Sequence, residues 1–477
     1  MRERTHRRPR RLPLTTLILC LAVALTQCTR QPSPPNVFVL VVDALRADHL
    51  GLYGYPMNTS PRLAEYAKRG VVFDRAYAQA PSTFPSTAVM LVSQYPSDVQ
   101  LVSEHAFQLG QEWITLPEVL QDAGYRTAFF TANPLHAYDS FSDGKSRSHG
   151  FEQGFDEFFA GSRFYSDRLR ARELNERVME WIAQDDAGKP FLALVWYVDP
   201  HTPYEPPEEF RALFPDSYEG ETDWNKHMGK LWATGESIPE EARQHLISLY
   251  DAEIAYADAS IGEILDELDE EGVLRNTMLI VTADHGEAFH EHGTWVHGLG
   301  LYEELIRVPL IIIPPGGGVA QQTTRNTAVV GHIDLMPTIL DYAGVPSEKR
   351  PHTIRGLSLK PFVEGKDTII GRRGLAAEFV FGLGPGREPG SFTGRAFVTE
   401  RFKLMQISQQ GELTETRLFD LLRDPGEQHS LSDDPSFKGE LDLLTAQLNR
   451  ILKPREPTAP LSLPEHVRDR LRAVGYL

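Results

Sequence analysis

Apolar runs of four to eight residues recur along the chain. Each is broken by polar residues, and each is long enough for a buried strand but short for a buried helix. NVFVLVV (residues 36–42) is the first, and FLALVWYV (191–198), MLIV (278–281) and residues 308–313 follow it. Residues 71–73 open a further strand, and GYRTAFFTAN reads as turn, strand and loop. Amphipathic spacing predicts helices over 60–69, 85–93, 116–123, 166–182, 246–270 and 333–343. Strands alternating with helices predict a mostly parallel sheet covered on both faces. After about residue 370 the runs shorten to AAEFVF, GRAFVTE, FKLMQIS and TRLFDLL, which predict a small antiparallel subdomain. The Pro- and charge-rich stretch 205–245 predicts a lid or insertion.

The N-terminus follows different rules. Six arginines precede an apolar stretch, residues 12–25, that is short for a transmembrane helix, the order of an export leader. LTQC, ending at Cys28, is similar to a lipoprotein processing site, with Gln27 in place of the usual small residue. The expected organisation is a leader (1–28), a Pro-rich tether (29–35), a catalytic domain (36–370), a C-terminal α+β subdomain (371–440) and a helical tail (441–477). The protein is then expected in the cell envelope, periplasmic or on the outer surface, held to the membrane by an N-terminal lipid or a retained signal anchor. Both cysteines, Cys20 and Cys28, lie in the leader, so the body has no disulfide, no Cys-ligated zinc and no cysteine nucleophile. A net charge of −18 argues against a nucleic-acid partner.

Three strands end in the same kind of residue: Asp43, Asp199 with His201, and Asp284 with His285. One such Asp is an ordinary turn residue. Three at one sheet edge predict a polar cluster for an ion or a substrate. Asp43, Asp284 and His285 form a plausible metal set with an open position. The stretch APSTFPSTAVML supplies hydroxyls beside a Pro-initiated helix, where free N–H groups favour an anion, although Ser82, Thr83 and Ser86 could equally be caps. His290 and His292 read as surface histidines.

DALRADHLGLYGY, APSTFPSTAVMLVSQYP, VDPHTPYEPP, TADHGEAFHEHG, HGLGLYEELIRVPLII, HIDLMPTILDYAGV and RLFDLLRDPGEQHSL together resemble the sulfatase family of the alkaline phosphatase superfamily, in family order over residues 36–432. The resemblance implies a three-layer α/β/α sandwich with a large mixed, mostly parallel sheet. It implies metal ligation by Asp43, Asp284, His285 and Thr83, with Thr83 at the nucleophile position. It also implies that His201 contacts the ester's oxygens or assists the leaving group, and that His297 neutralises the transferred anion.

The departures carry chemistry. Thr83 stands where familiar members have a Cys or Ser converted to formylglycine, so no formylglycine is expected. Thr87 replaces an arginine, Ala44 a second carboxylate, and His285 an asparagine. The family's lysine–histidine pair is not recognisable near 131–136, where Asn133 or His136 could substitute. A nitrogen ligand favours zinc or manganese, with calcium open from the family. Threonine has one oxygen, so a covalent intermediate must leave by attack of water or another acceptor. The expected function is metal-dependent hydrolysis of a small sulfate, phosphate or phosphonate ester. Two other readings are a phospho-headgroup transferase acting on a membrane lipid or glycan, and a non-catalytic sulfatase-like binding protein.

Overall fold

The computed structural model describes residues 33–452, apart from 100–108, 137–138, 141–145, 148–149, 162–167, 185–187, 221, 318–322, 367–370, 382–391 and 410. The leader, with both cysteines, and the tail beyond residue 452 lie outside the described residues. Backbone contacts group residues 35–477 as one unit, separate from 1–34. Among the described residues no helix is long and apolar enough to cross a membrane.

In chain order the strands are β1 (Asn36–Val42), β2 (Val71–Tyr77), β3 (Arg126–Thr131), β4 (Asp139–Ser140), β5 (Ser146–Arg147), β6 (Glu157–Ala160), β7 (Phe191–Tyr197), β8 (Thr277–Ala283), β9 (Ala288–Phe289), β10 (Trp295–Val296), β11 (Arg307–Val308), β12 (Leu310–Ile313) and β13 (Thr324–Gly331). The main sheet runs β11-β2-β12-β8-β1-β7-β3-β6, with β13 on the far side of β2. From β8 through β6 every pairing is parallel, whereas β12 lies antiparallel to both β2 and β8. β1, β7 and β8 are buried almost throughout, which is why they read as continuous apolar runs with no alternation.

Register places the site. Val42 pairs with Tyr197 on one side and with Ala283 on the other, so the three central strands end level with one another. Asp43 and Asp284 are the next residues on β1 and β8. In an open α/β sheet the crevice past the strands' carboxyl ends is where ligands bind.

The structure adds strands β6 and β13 to the sheet, starts the helix expected over 166–182 at Ala171, and differs from the sequence pattern in three further places. Pro309 breaks the ladder, so the single strand expected over 308–313 is two strands. The long helix begins at Glu240, not at 246, because its first turns (EEARQH) are largely solvent-facing and carry no apolar period. The helix expected from Pro85 begins at Thr83, which is its first helical residue, with Ser82 extended before it.

The C-terminal sheet is antiparallel, in the order β14 (Leu375–Phe381), β15 (Phe392–Val398), β16 (Phe402–Gln409) and β17 (Glu412–Asp420). It carries the helix Lys438–Ile451 and shares a second apolar core with Tyr302, Leu305 and Ile306. One buried lysine ties it to the loop after β10. Lys403 Nζ lies 3.2 Å from Glu303 and 3.0 Å from Glu427, and the Glu303 N–H donates to Glu427 at 2.7 Å.

Candidate active site and metal centre

Asp43, Asp284 and His285 are fully buried, and each turns a donor atom to a common point, all within 4.8 Å of one another. His285 Nε2 is 3.2 Å from Asp284 Oδ2 and 3.7 Å from Asp43 Oδ1. Thr83 Oγ1 lies 3.3 Å from the same nitrogen. The helix that begins at Thr83 thus delivers the hydroxyl, and two neighbouring strands deliver the other three groups. Neither Ser82 nor Thr83 caps that helix with its side chain, and Ser86 donates to the Ala80 carbonyl instead.

The remaining atoms of these side chains are already committed. Asp43 Oδ2 accepts from Trp196 Nε1 at 3.1 Å and from Asn133 Nδ2. Asp284 Oδ1 accepts from the N–H groups of Ala44 (3.1 Å) and His285 (2.9 Å). Ala44 is held at φ +56°, a conformation uncommon outside glycine, and that turn aims its N–H at Asp284. His285 Nδ1 lies 2.8 Å from the Gly286 carbonyl, which can only accept, so Nδ1 carries the hydrogen and Nε2 the lone pair. Gly286 is required because a Cβ there would lie 2.0 Å from the Glu304 carbonyl oxygen.

Two oxygens are left over. Asp43 Oδ1 and Asp284 Oδ2 are buried with no hydrogen-bond partner, and they face the His285 lone pair. Burial and their mutual repulsion push Asp43 up to about 8, and burial pushes Asp284 to about 7. Orphaned lone pairs on two carboxylates and an imidazole, converging in a dry site, fit a divalent cation.

His201 and His297 stand on the open side. The His297 ring is 4.2 Å from that of His285 and 4.9 Å from that of His201. His201 Nδ1 donates to the Thr202 carbonyl at 2.6 Å, and burial lowers its pKa to about 3, so at neutral pH it is an uncharged ring with its Nε2 lone pair available as a base. Its turn contains two cis peptide bonds, Asp199–Pro200 and Thr202–Pro203. Arg168 holds that turn, donating to the carbonyls of His201 (3.0 Å) and Pro203 (2.9 Å) while pairing with Glu253 at 3.0 Å.

Asp199 does not join the cluster expected from three Asp-terminated strands. It pairs with Arg170 at 2.6 Å and accepts from the Ala171 N–H, supporting the His201 turn from behind. The expected substitutes for the family's lysine–histidine pair also lie elsewhere: Asn133 on Asp43, and His136 between Thr87 and Thr131. His292 pairs with Glu304 at 2.7 Å and stacks on Tyr302, away from the site. The insertion 205–245 packs on the His297 loop, with Trp232 Nε1 donating to the His297 carbonyl and Trp295 Nε1 to the Glu236 carbonyl.

Glu287 is the functional side chain that sequence reasoning passed over. It is fully buried, with Oε1 3.0 Å from His297 Nδ1. Burial drives the glutamate well above its ordinary range and the imidazole well below. Both directions favour a protonated Glu287 donating to Nδ1, which leaves His297 with an Nε2–H to offer an anion. Glu287→Leu is therefore expected to lower kcat about 10–100-fold, and Glu287→Gln, whose amide can still donate, far less. Steady-state kinetics on an aryl ester reads the difference.

A parallel sheet whose strand ends gather two aspartates, a histidine and a helix-borne hydroxyl defines a hydrolase of the alkaline-phosphatase-like fold. The chain belongs to the sulfatase family, whose model matches residues 35–345, and the N-sulphoglucosamine sulphohydrolase C-terminal model matches residues 290–454. An arylsulfatase of Clostridium perfringens is 26% identical over 88% of this chain and 95% of its own. An N-acetylglucosamine-6-O-sulfatase of Bacteroides thetaiotaomicron is 24% identical over 93% and 92%. The solved phosphonate monoester hydrolase of Agrobacterium radiobacter superposes with a TM-score of 0.71 at 20% identity, covering 87% of this chain and 95% of its own. Members of the family are metal-dependent sulfuric ester hydrolases.

Proposed function

We propose that this protein is an exported hydrolase that cleaves a small sulfate, phosphate or phosphonate ester by in-line attack of Thr83. The observation that carries the reading is the placement of Thr83 Oγ1 against the only gathered set of metal-ligating groups found among the described residues. Asp43, Asp284 and His285 would hold a divalent cation, which when bound lowers the pKa of a neighbouring hydroxyl and draws charge from ester oxygens.

The chain's own groups do the rest. Thr83 Oγ forms a bond to sulfur or phosphorus as the bond to the alcohol oxygen breaks, and the alcohol departs with the proton that Thr83 gives up. The Nε2–H of His297 steadies a non-bridging oxygen. The His201 lone pair then takes a proton from water as that water attacks the Thr83 ester, releasing the inorganic anion or phosphonate and restoring the hydroxyl. Burial keeps His201 uncharged, so its Nε2 lone pair is present at this step, and the lowered pKa makes the protonated ring quick to pass that proton on to the Thr83 oxygen. The Arg-rich leader and the processing-like LTQC support work in the cell envelope.

Charge narrows the substrate. Two carboxylates cancel a divalent cation, both facing imidazoles are neutral, and among the described residues no hydrogen bond or ion pair joins Thr83, Asp43 or Asp284 to a lysine or arginine. Such a site suits a monoanion: a sulfate monoester, a phosphodiester or a phosphonate monoester. A phosphate monoester dianion adds an uncompensated charge, which costs several kcal/mol in a dry site. With manganese or zinc supplied, kcat/KM for 4-nitrophenyl sulfate, bis(4-nitrophenyl) phosphate or a phenylphosphonate ester should exceed that for 4-nitrophenyl phosphate by about 100-fold. Equal rates on the dianion would refute the charge argument, and no turnover on any of the four would refute the hydrolase.

A further inference from the structure

His136 is buried inside four aromatic rings, with centroids 4.7 Å away for Trp196, 5.1 Å for Phe129, 5.8 Å for Phe151 and 6.5 Å for Phe84. A histidine so placed could be simple filling. Its two nitrogens say otherwise, because the direction of each hydrogen bond is fixed by the groups beyond it.

The Thr87 hydroxyl donates its one hydrogen to the Thr83 carbonyl at 2.8 Å. Toward His136 Nε2, at 3.0 Å, it can therefore only accept, so Nε2 carries the ring hydrogen. Nδ1 then holds a lone pair and accepts from the Thr131 hydroxyl at 3.0 Å. The Thr131 oxygen in turn accepts the N–H of Asn133 at 3.0 Å. Asn133 is held by its own side chain as well: Oδ1 accepts from the Leu135 N–H at 2.8 Å, and Nδ2 donates to Asp43 Oδ2.

We infer that His136, locked as the neutral Nε2–H tautomer, is a positioning residue that ties the nucleophile's helix turn to the side chain gripping Asp43. The chain runs one way, from Asn133 through Thr131, His136 and Thr87 to the carbonyl of Thr83. It fixes the hydroxyl and the first carboxylate relative to each other without touching either reacting atom. Protonating the ring, or flipping its tautomer, breaks the Thr131 link and frees Asn133 to turn from Asp43. The inference rests on the reading of Thr83 as nucleophile and Asp43 as ligand.

The test uses the full-length protein and the variants His136→Phe, His136→Gln, Thr87→Val and the His136→Phe/Thr87→Val double. Manganese affinity is measured by calorimetry, kcat and KM on an aryl ester, and the ring's tautomer by nitrogen-15 NMR of histidine-labelled protein. His136→Phe, which keeps the aromatic volume, should lose about tenfold or more in both manganese affinity and kcat, with KM within about threefold. His136→Gln, with a donor and an acceptor, should recover part of both. The double variant should be no worse than His136→Phe, because both substitutions cut one chain. The neutral wild-type ring should show its hydrogen on Nε2 and a bare Nδ1.

An Nδ1–H or charged ring, additive losses in the double variant, or wild-type kcat and manganese affinity in His136→Phe would each overturn the inference. If His136→Phe does not fold, Thr87→Val, His136→Gln and the tautomer decide it. A wild-type protein that neither binds manganese nor turns over sinks the hydrolase reading, while the tautomer still reads the relay.

Discussion

Thr83→Ala is expected to lower kcat on any aryl ester the enzyme accepts by about 10³-fold or more, with little change in melting temperature. The side chain removed is small. Its hydroxyl reaches only groups of the site, His285 Nε2 at 3.3 Å and the Asp284 carboxyl, so the fold loses almost nothing. Catalysis loses its nucleophile. Thr83→Ser keeps the oxygen at the same helix position and should retain activity within about tenfold, the deficit reflecting the rotamer freedom that a β-branched residue lacks. Rapid mixing should show a burst of released alcohol in the wild type if water attack on the Thr83 ester is the slow step, and none in the alanine variant. Activity that survives Thr83→Ala at wild-type rate would remove Thr83 from the mechanism.

The second large effect concerns Asp43 and Asp284 with the cation stripped away. Both carboxyls sit above their unfolded values, near 8 and 7, chiefly because burial penalises the charged form. A raised acid contributes stability that is fully present below the unfolded pKa of about 4 and is lost as pH climbs through the folded pKa. The chelated protein should therefore melt progressively lower from pH 5 to pH 8. Manganese or zinc, which binds the ionised pair, should raise the melting temperature more at pH 8 than at pH 5. Asp284→Asn should make the chelated protein's pH dependence shallower, the remainder coming from other buried acids such as Glu253 and Glu427, abolish the response to metal and reduce kcat about 10³-fold or more. A chelated protein whose melting temperature is level across that range would show that the two carboxyls do not face each other in a dry site.

The central strands were legible because they are buried on both faces, so their apolar runs are unbroken. The metal set was legible because Asp43, Asp284 and His285 come directly at strand ends, where register does the gathering. Asp199 shows where that logic fails. In the chain it looks like its two counterparts, and Arg170 and the Ala171 N–H, at the start of another helix, turn it aside together with Arg168. The partners of Glu287, Trp196 and His136 were not legible for the same reason, although His136 itself was singled out. Each acts through partners 10, 153 and 49 positions away, and nothing local marks a hydrogen bond of that span. Residues 240–245 hid a helix start because a solvent-facing first turn needs no apolar spacing, only favourable propensity and acids near the N-terminus.

Lys403 limits how this protein can be shortened. Its ammonium sits in a dry seam between Glu303, which follows the His297 loop, and Glu427, beyond β17, so a fragment ending before residue 375 would take away the cation beside Glu303 and expose Tyr302, Leu305 and Ile306. Those three begin the segment whose Glu304 carbonyl crowds Gly286. Anyone trimming the chain to a minimal reagent would be loosening the backbone beside Asp284 and His285.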